Sequence, residues 1–193
     1  MESRAGEPQR SDAQRNRERI LTVALQELSE NVEVPLSAIA KKAGVGQGTF
    51  YRNFPSREAL VLEVYSHEVR TLVDGAEELL GTLSPEEALR AWMGQLARFA
   101  AAKIGLSSVM RRIVGSSEGS AQPGYSMVVQ AVERMLDANH RAGTIRPDVT
   151  AGDFILAIAG IWQLDPHGDG EAQAARILDI VFNGLLAGAP ARP

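Results

Sequence analysis

Apolar residues along this chain recur three and four positions apart instead of alternating, which predicts helices throughout. Ile20, Leu21, Ala24, Leu25 and Leu28 share one face of a first helix that Ser11 or Asp12 can cap and that ends near Glu30. A second helix fits Leu36 to Ala43, with Pro35 beside its first turn and Gly44 as its stop; a third fits Gln47 to Asn53. Pro55-Ser56 breaks the chain, and Ser56 caps a long fourth helix through Glu63, Val69 and Leu79. Ser84-Pro85-Glu86-Glu87 has the capping-box spacing with proline at the first helical position, so a fifth helix follows, carrying Leu89, Trp92, Met93, Leu96, Phe99 and Ala100. A sixth is expected from about Leu106 to Val114, then a Ser/Gly-rich loop from Gly115 to Gly124, and a seventh from Pro123 to the stop at Gly143. Thr150 and Asp153 repeat the capping-box spacing and open an eighth, to about Leu164; after a loop over Asp165 to Gly170 a ninth runs from Glu171 to about Ala187. No strand alternation and no internal repeat of 20–50 residues is present. The expected fold is all-α with about nine helices: a flexible tail at 1–10, a three-helix domain at 11–56, a larger helical domain at 57–188 and a tail at 189–193.

The segment from Val34 to Leu60 carries the clearest functional pattern. Ile39 and Ala43 lie four apart on one helical face, Ala40 is small enough for a close helix crossing, Gly44 can take a positive φ, and Val45 can plug the angle between two helices. Two short helices joined by a glycine-containing turn make a helix-turn-helix. In the second of them, Gln47 to Asn53, the apolar stripe is thin, Phe50 followed four residues later by Phe54, and the remaining positions carry donors or no side chain. That composition suits a helix lying in the major groove, with one edge buried and the other turned to DNA. An ordinary surface helix in an αα corner is the plainer alternative.

The run Ile39-Ala40-Lys41-Lys42-Ala43-Gly44-Val45-Gly46-Gln47-Gly48-Thr49-Phe50-Tyr51-Arg52-Asn53-Phe54-Pro55-Ser56-Arg57-Glu58-Ala59-Leu60 closely resembles the DNA-binding signature of TetR-type regulators. The motif spans about a tenth of the chain, and a third with the helix before it. The resemblance implies an N-terminal helix-turn-helix domain and a C-terminal ligand-binding and dimerisation domain. It further implies a homodimer and a transcriptional regulator, most often a repressor released from its operator by a small molecule. Thr49, Tyr51 and Asn53 match positions that hold phosphates, and Arg57 matches a basic residue that contacts phosphate at the start of the fourth helix. Gln47, Gly48 and Arg52 match positions that approach base edges or the neighbouring backbone, where Gln pairs with adenine and Arg with guanine. Pro35-Leu36 stands where a capping Thr is frequent, so a phosphate contact there falls to Ser37 or to backbone N–H groups. Asn53 replaces a frequent His or Tyr, and glycines at 46 and 48 leave fewer side chains for base readout.

In the larger domain, Trp92, Met93, Leu96, Phe99, Met110, Met127, Ala131 and Trp162 are residues of the kind that line adaptable apolar cavities, and equally of the kind that form plain core. With the resemblance they become the expected surround of a small apolar or amphipathic ligand, with Arg111, Arg112, Gln130 and Gln163 as polar anchors. The last two helices are apolar nearly all round, so they must be buried on more than one side. Ile155, Ala159, Ile177, Val181 and Leu185 are the expected dimer interface, a four-helix arrangement of two copies. Dimerisation also suits DNA reading: two short helices address half-sites of a near-palindromic operator about 34–36 Å apart or a multiple of that.

Charge is distributed consistently with this. The net charge is −4, but residues 1–58 carry nine Lys and Arg against eight Asp and Glu, while the remainder carry eleven against sixteen. Absence of cysteine rules out disulfides, thiolate metal sites and a cysteine nucleophile. The three histidines, His67, His140 and His167, form no metal-ligand pattern, and no P-loop, G-x-S-x-G or Rossmann glycine pattern occurs. Asp165, Asp169 and Glu171 miss the calcium-loop spacing. An enzyme is therefore not expected, nor a metal or other cofactor. A scaffold dimer with decayed DNA binding is disfavoured by the intact Gly44, Thr49, Tyr51 and Arg57. No apolar run is long enough to span a membrane and the N-terminus lacks a signal-like apolar stretch, so the expected location is the cytoplasm.

Overall fold

The computed structural model describes residues 7–31, 33–114, 124–163 and 169–190. Among these residues eight α-helices and one 3₁₀ turn follow in order: α1 Glu7–Glu30, α2 Leu36–Lys42, α3 Gln47–Asn53, α4 Arg57–Thr82, α5 Pro85–Val114, α6 Tyr125–Ala142, α7 Ala151–Ile158, the 3₁₀ turn Ala159–Gln163, and α8 Gly170–Leu186. No strand occurs among the described residues, and the all-α expectation holds.

Three helix starts follow the local chemistry read from the sequence. The Ser56 hydroxyl accepts from the Ala59 amide at 3.1 Å. Ser84 and Glu87 form the reciprocal pair of a capping box, the Ser84 amide donating to the Glu87 carboxylate at 3.2 Å. Thr150 and Asp153 do the same at the start of α7. Such pairs satisfy amides that have no partner inside the helix.

Other boundaries differ. Helix α1 begins at Glu7, inside the segment expected as tail. Instead of separate fifth and sixth helices, α5 runs unbroken from Pro85 to Val114. At the expected division Gly105 interrupts its propensity, at about 1 kcal/mol, and the strong helix formers before it, Ala100 to Lys103, outweigh that. The expected eighth helix is shorter, tightening after Ile158 into the 3₁₀ turn. Helix α6 starts at Tyr125, with Gly124 as its N-cap in the left-handed region at φ 82°. A side chain at 124 would also press on Val69, since a Cβ there would come within 2.8 Å of a valine methyl. Of the loop expected over Gly115 to Gly124, residues 115–123 with the Pro123 start lie outside the described residues, as do residues 165–168 of the loop expected over Asp165 to Gly170.

The chain divides into two compact units. The first comprises residues 1–67 with 105–113, the second 68–104 with 114–193. The first unit's core gathers Ile20, Leu21, Ala24 and Leu28 of α1, Ile39 and Ala40 of α2, Phe50 and Phe54, and Leu60, Val61, Val64 and Tyr65 of α4, with Leu106 of α5. In the second unit α5 contributes Leu89, Trp92, Met93, Leu96 and Phe99, α6 contributes Ala131, Val132, Met135 and Leu136, and Phe154, Ile158, Leu178, Phe182 and Leu185 complete the core. The buried Trp92 indole donates to the Leu72 carbonyl at 2.9 Å, which joins α5 to α4.

One polar side chain among the described residues is fully buried in this core, Asn139. Its amide nitrogen donates to the Pro85 and Met135 carbonyls, both at 2.9 Å, and its oxygen accepts from the Thr144 hydroxyl at 2.6 Å. The bonds to Pro85 and Thr144 tie the end of α6 to the start of α5 and to the chain that follows α6, while the bond to Met135 stays within the helix. Asn139→Ala should therefore cost about 1–3 kcal/mol, because the asparagine's partners lose theirs. In a thermal melt of the whole chain that is a fall of roughly 2–10 °C, whereas Thr144→Val, which removes one of these bonds, should cost less.

The capping boxes give stability an acid limb. The Ser84 hydroxyl, then its amide, holds the Glu87 carboxyl below the usual range, and the Thr150 hydroxyl and amide do the same for Asp153. With folded pKa below unfolded, this stabilisation is complete above the unfolded pKa of about 4 and is lost as pH falls through the folded one. The melting-temperature gap between wild type and the double variant Glu87→Gln/Asp153→Asn should narrow as pH falls from about 6 to about 3.

Candidate nucleic-acid interface

The turn between α2 and α3 sets the site. Gly44 has φ +64°. Its amide bonds the Lys41 carbonyl at 3.0 Å and the Val45 amide bonds the Ala40 carbonyl at 3.0 Å. This pair of crossed bonds is a Schellman motif, which ends a helix and requires the left-handed residue that glycine supplies. Arg19 adds a cap from outside, its Nε donating to the Ala43 carbonyl at 2.9 Å. Gly46 then starts α3.

Within α3 the expected single buried edge is present. Phe50 is 0% exposed and Phe54, just after the helix, 1%. Their rings stand 5.5 Å apart, and the Arg17 guanidinium lies 5.3 Å from the Phe54 centroid while pairing with Glu63 at 3.0 Å. Gln47, Gly48, Thr49, Tyr51, Arg52 and Asn53 are all exposed. The Tyr51 ring meets Phe50 edge-on with centroids 5.7 Å apart, yet the residue stays 42% exposed.

The donors expected at DNA are not equally free. Arg52 Nη2 donates to the Thr49 hydroxyl at 3.1 Å, folding back along its own helix. Asn53 Nδ2 donates to the Thr49 carbonyl at 2.8 Å, satisfying an end-of-helix acceptor. Arg57 is half-buried and donates to the Val34 carbonyl at 2.5 Å, fastening α4 to the loop before α2. Ser37 is half-buried and lines an open hollow with Pro35, Ala38, Lys41, Val45, Gly46 and Gln47. Sequence reading missed the work of Arg17, Arg19 and Lys42 in fastening α1 to its neighbours; Lys42 pairs with Glu27 at 2.5 Å.

Of the residues expected around a ligand, Trp92, Met93, Leu96, Phe99 and Ala131 are buried in the second unit, and Met127 is exposed. The side chains of Met110 and Trp162 lie outside the described residues, as do those of Arg111, Arg112 and Gln163, and Gln130 is exposed. Met93 lines a cavity of about 160 Å³ with Arg90, Gly94, Ala97, Ala175, Leu178, Asp179 and Phe182. Arg90 there sits 4.0 Å from the Phe182 ring centroid. No sequence signal pointed to Gln95, whose buried Oε1 has no hydrogen-bond partner among the described residues. It points at Gly75, where a Cβ would come within 2.3 Å.

On the last helices, Ile155, Ala159, Ile177 and Val181 are half-buried and Leu185 is buried within its own unit. Leu156 and Ile180 are large apolar residues left open, at 76% and 71%; Leu156 did not stand out in the sequence. Among the described residues no group of three or more His, Asp or Glu could hold a metal, and no helix is long and apolar enough to cross a membrane.

Comparison with known proteins matches both parts of the chain. The profile of the bacterial regulatory proteins, tetR family, matches residues 20–64, and that of the SbtR-like transcriptional regulator C-terminal domain matches residues 84–187. No curated protein matches. A TetR transcriptional regulator from Streptomyces coelicolor, known by crystal structure, is 40% identical with a TM-score of 0.78, over 91% of this chain and 99% of that one. A second, from Mycobacterium vanbaalenii, is 35% identical with a TM-score of 0.75, over 93% and 99%. The chain therefore belongs to the TetR family of transcriptional regulators, with residues 20–64 as its DNA-binding part.

Proposed function

We propose that the chain acts as a homodimeric repressor that holds a near-palindromic DNA operator and leaves it when a small apolar or amphipathic molecule binds the second unit. The observation that carries the DNA half of this reading is the division of α3. Phe50 is wholly buried, whereas every other residue from Gln47 to Asn53 is exposed on a helix held by the Gly44 turn. A helix so anchored can enter a major groove without losing its packing. Tyr51 and Thr49 offer hydroxyls for phosphates, and Gln47 and Arg52 reach toward base edges, Arg52 by exchanging its bond to Thr49 for one to DNA. Asn53 and Arg57, engaged by Thr49 and Val34, contribute mainly by fixing the ends of α3 and α4.

The dimer half rests on Leu156 and Ile180, with Ile155, Ala159, Ile177 and Val181 half-covered on the same two helices and the turn between them. Release follows from α4, which carries residues of both units, Arg57–His67 and Glu68–Thr82. An effector that favours one arrangement of the second unit shifts the population of α4 positions, and with it the spacing of two recognition helices.

Selection of bound sequences from a random DNA pool, followed by anisotropy titration, tests the whole reading. A selected site with two half-sites related by a dyad is the expected result; recovery of no enriched sequence overturns it. On the selected site Tyr51→Phe should weaken binding by roughly thirtyfold, the worth of about one hydrogen bond in each of two half-sites, with unchanged melting temperature. Gln47→Ala should change base preference at a defined position, by about 1–3 kcal/mol between bases.

Ile180→Glu should convert the protein to monomer in analytical ultracentrifugation and abolish tight operator binding while leaving the helical signal intact. Wild-type protein that sediments as monomer at micromolar concentration would contradict the dimer.

A further inference from the structure

Lys41 and Lys42 are neighbours in sequence and equal in charge, but the fold uses them differently. Lys42 is committed to Glu27 at 2.5 Å, across fifteen residues. The first-unit arginines whose side chains are described are also engaged. Arg17 pairs with Glu63, Arg19 bonds the Ala43 carbonyl and Asn16, Arg52 bonds Thr49, Arg57 bonds the Val34 carbonyl, and Arg15 has a partner too. Lys41 is exposed and its side chain makes no hydrogen bond or ion pair among the described residues. One helical turn before it stands Ser37, and both line the open hollow of about 490 Å³ whose far side is Gly46 and Gln47.

Gly46 is what leaves that hollow open. Its backbone is extended, φ −61° and ψ 139°, a conformation any residue adopts. A Cβ added there would meet nothing within 4 Å. Neither backbone strain nor packing therefore requires glycine at 46; the consequence of having it is room. The hollow's polar lining is a hydroxyl, an ammonium and a carboxamide, and no carboxylate lines it. That combination suits a singly charged phosphodiester oxygen and does not suit a cation.

We propose that this hollow seats one phosphate of the DNA backbone, with Lys41 supplying the charge and Ser37 a flanking hydroxyl donor, while Gln47 at its edge stays free for the bases. The proposal rests on the DNA-binding reading under Proposed function and adds a phosphate to it. It makes a distinction between two adjacent lysines that charge alone does not make: Lys41 faces the phosphate, and Lys42 serves the packing of α1 on α2.

The test is anisotropy titration of the full chain with its selected operator over a series of salt concentrations. Lys41→Gln should weaken binding by about tenfold near physiological salt. It should also lower the slope of log affinity against log salt by about 0.9 for each phosphate left without its lysine, so about 1.8 for a dimer on two half-sites. Lys42→Gln should leave the slope unchanged and shift affinity by less than about twofold, as expected for a charge already paired. Gly46→Leu should lose affinity comparably to Lys41→Gln with an unaltered melting temperature, because the new side chain fills the hollow and touches nothing inside. A Lys41→Gln slope equal to wild type overturns the proposal, as does a Lys42→Gln loss equal to that of Lys41→Gln. If wild type itself binds the operator without salt dependence, or binds none, the DNA reading fails and the phosphate seat with it.

Discussion

Everything the first unit presents outward depends on one left-handed residue. The Schellman bonds around Gly44 end α2 and turn the chain within three residues into α3. A residue with a Cβ would be driven from this conformation by roughly 1–2 kcal/mol. With the turn fixed, Ile39, Ala40 and Ala43 are sealed inside, and Phe50 and Phe54 meet the same core from α3. The opposite edge of α3 is exposed as a geometric result: a seven-residue helix with its Phe50 edge buried must show the others. Function at this surface is thus a by-product of how the core closes.

The features legible in the sequence are those decided within a few residues. Ser56, Ser84 with Glu87, Thr150 with Asp153, and the Gly44 turn act over three or four positions, and their residue types state their geometry. The Phe50 and Phe54 stripe was legible for the same reason. What the sequence did not disclose depends on neighbours far along the chain. Arg57 looks like a free cation until the Val34 carbonyl, twenty-three residues earlier, takes its guanidinium. Lys42 looks like Lys41 until Glu27 arrives from α1. The expected division of α5 failed for another reason: glycine often marks the end of a helix, but the alanines and lysine just before Gly105 carry this one through it.

The second unit illustrates a limit of composition. Trp92, Leu96, Phe99 and Ala131 have the chemistry of a cavity lining, and in the structure they are core, while the cavity beside Met93 is lined from α8 by Leu178, Asp179 and Phe182. Side-chain type distinguishes buried from exposed, but whether buried groups meet one another or enclose space depends on how helices distant in sequence cross. Gln95 makes the same point with a polar atom. Its oxygen is buried because Gly75 leaves a gap opposite it, a relation twenty residues long that neither residue announces alone.

The distribution of charge in the first unit follows from these constraints. A chain with a net charge of −4 meets a polyanion with little help from its overall field, so the attraction must be local. Several arginines and one lysine hold α1, α2, α3 and α4 together, with carbonyls, carboxylates and an aromatic face as partners. Those contacts lower the number of charges that can release counterions from DNA, and hence the salt-dependent part of affinity. They also fix the positions of the few groups that remain, because a short helix fastened at both ends loses little freedom on binding. Glycines at 46 and 48 extend the same logic. Each removes a side chain that could read a base, and neither is demanded by packing, since a Cβ at either would meet open space. In the proposed DNA complex they let the protein surface approach the DNA backbone closely, which shifts recognition from base edges toward shape and phosphate position. A surface of this kind discriminates poorly as a single copy and well as a spaced pair, so in the proposed dimer the apolar edge at Leu156 and Ile180 bears on specificity as much as on assembly.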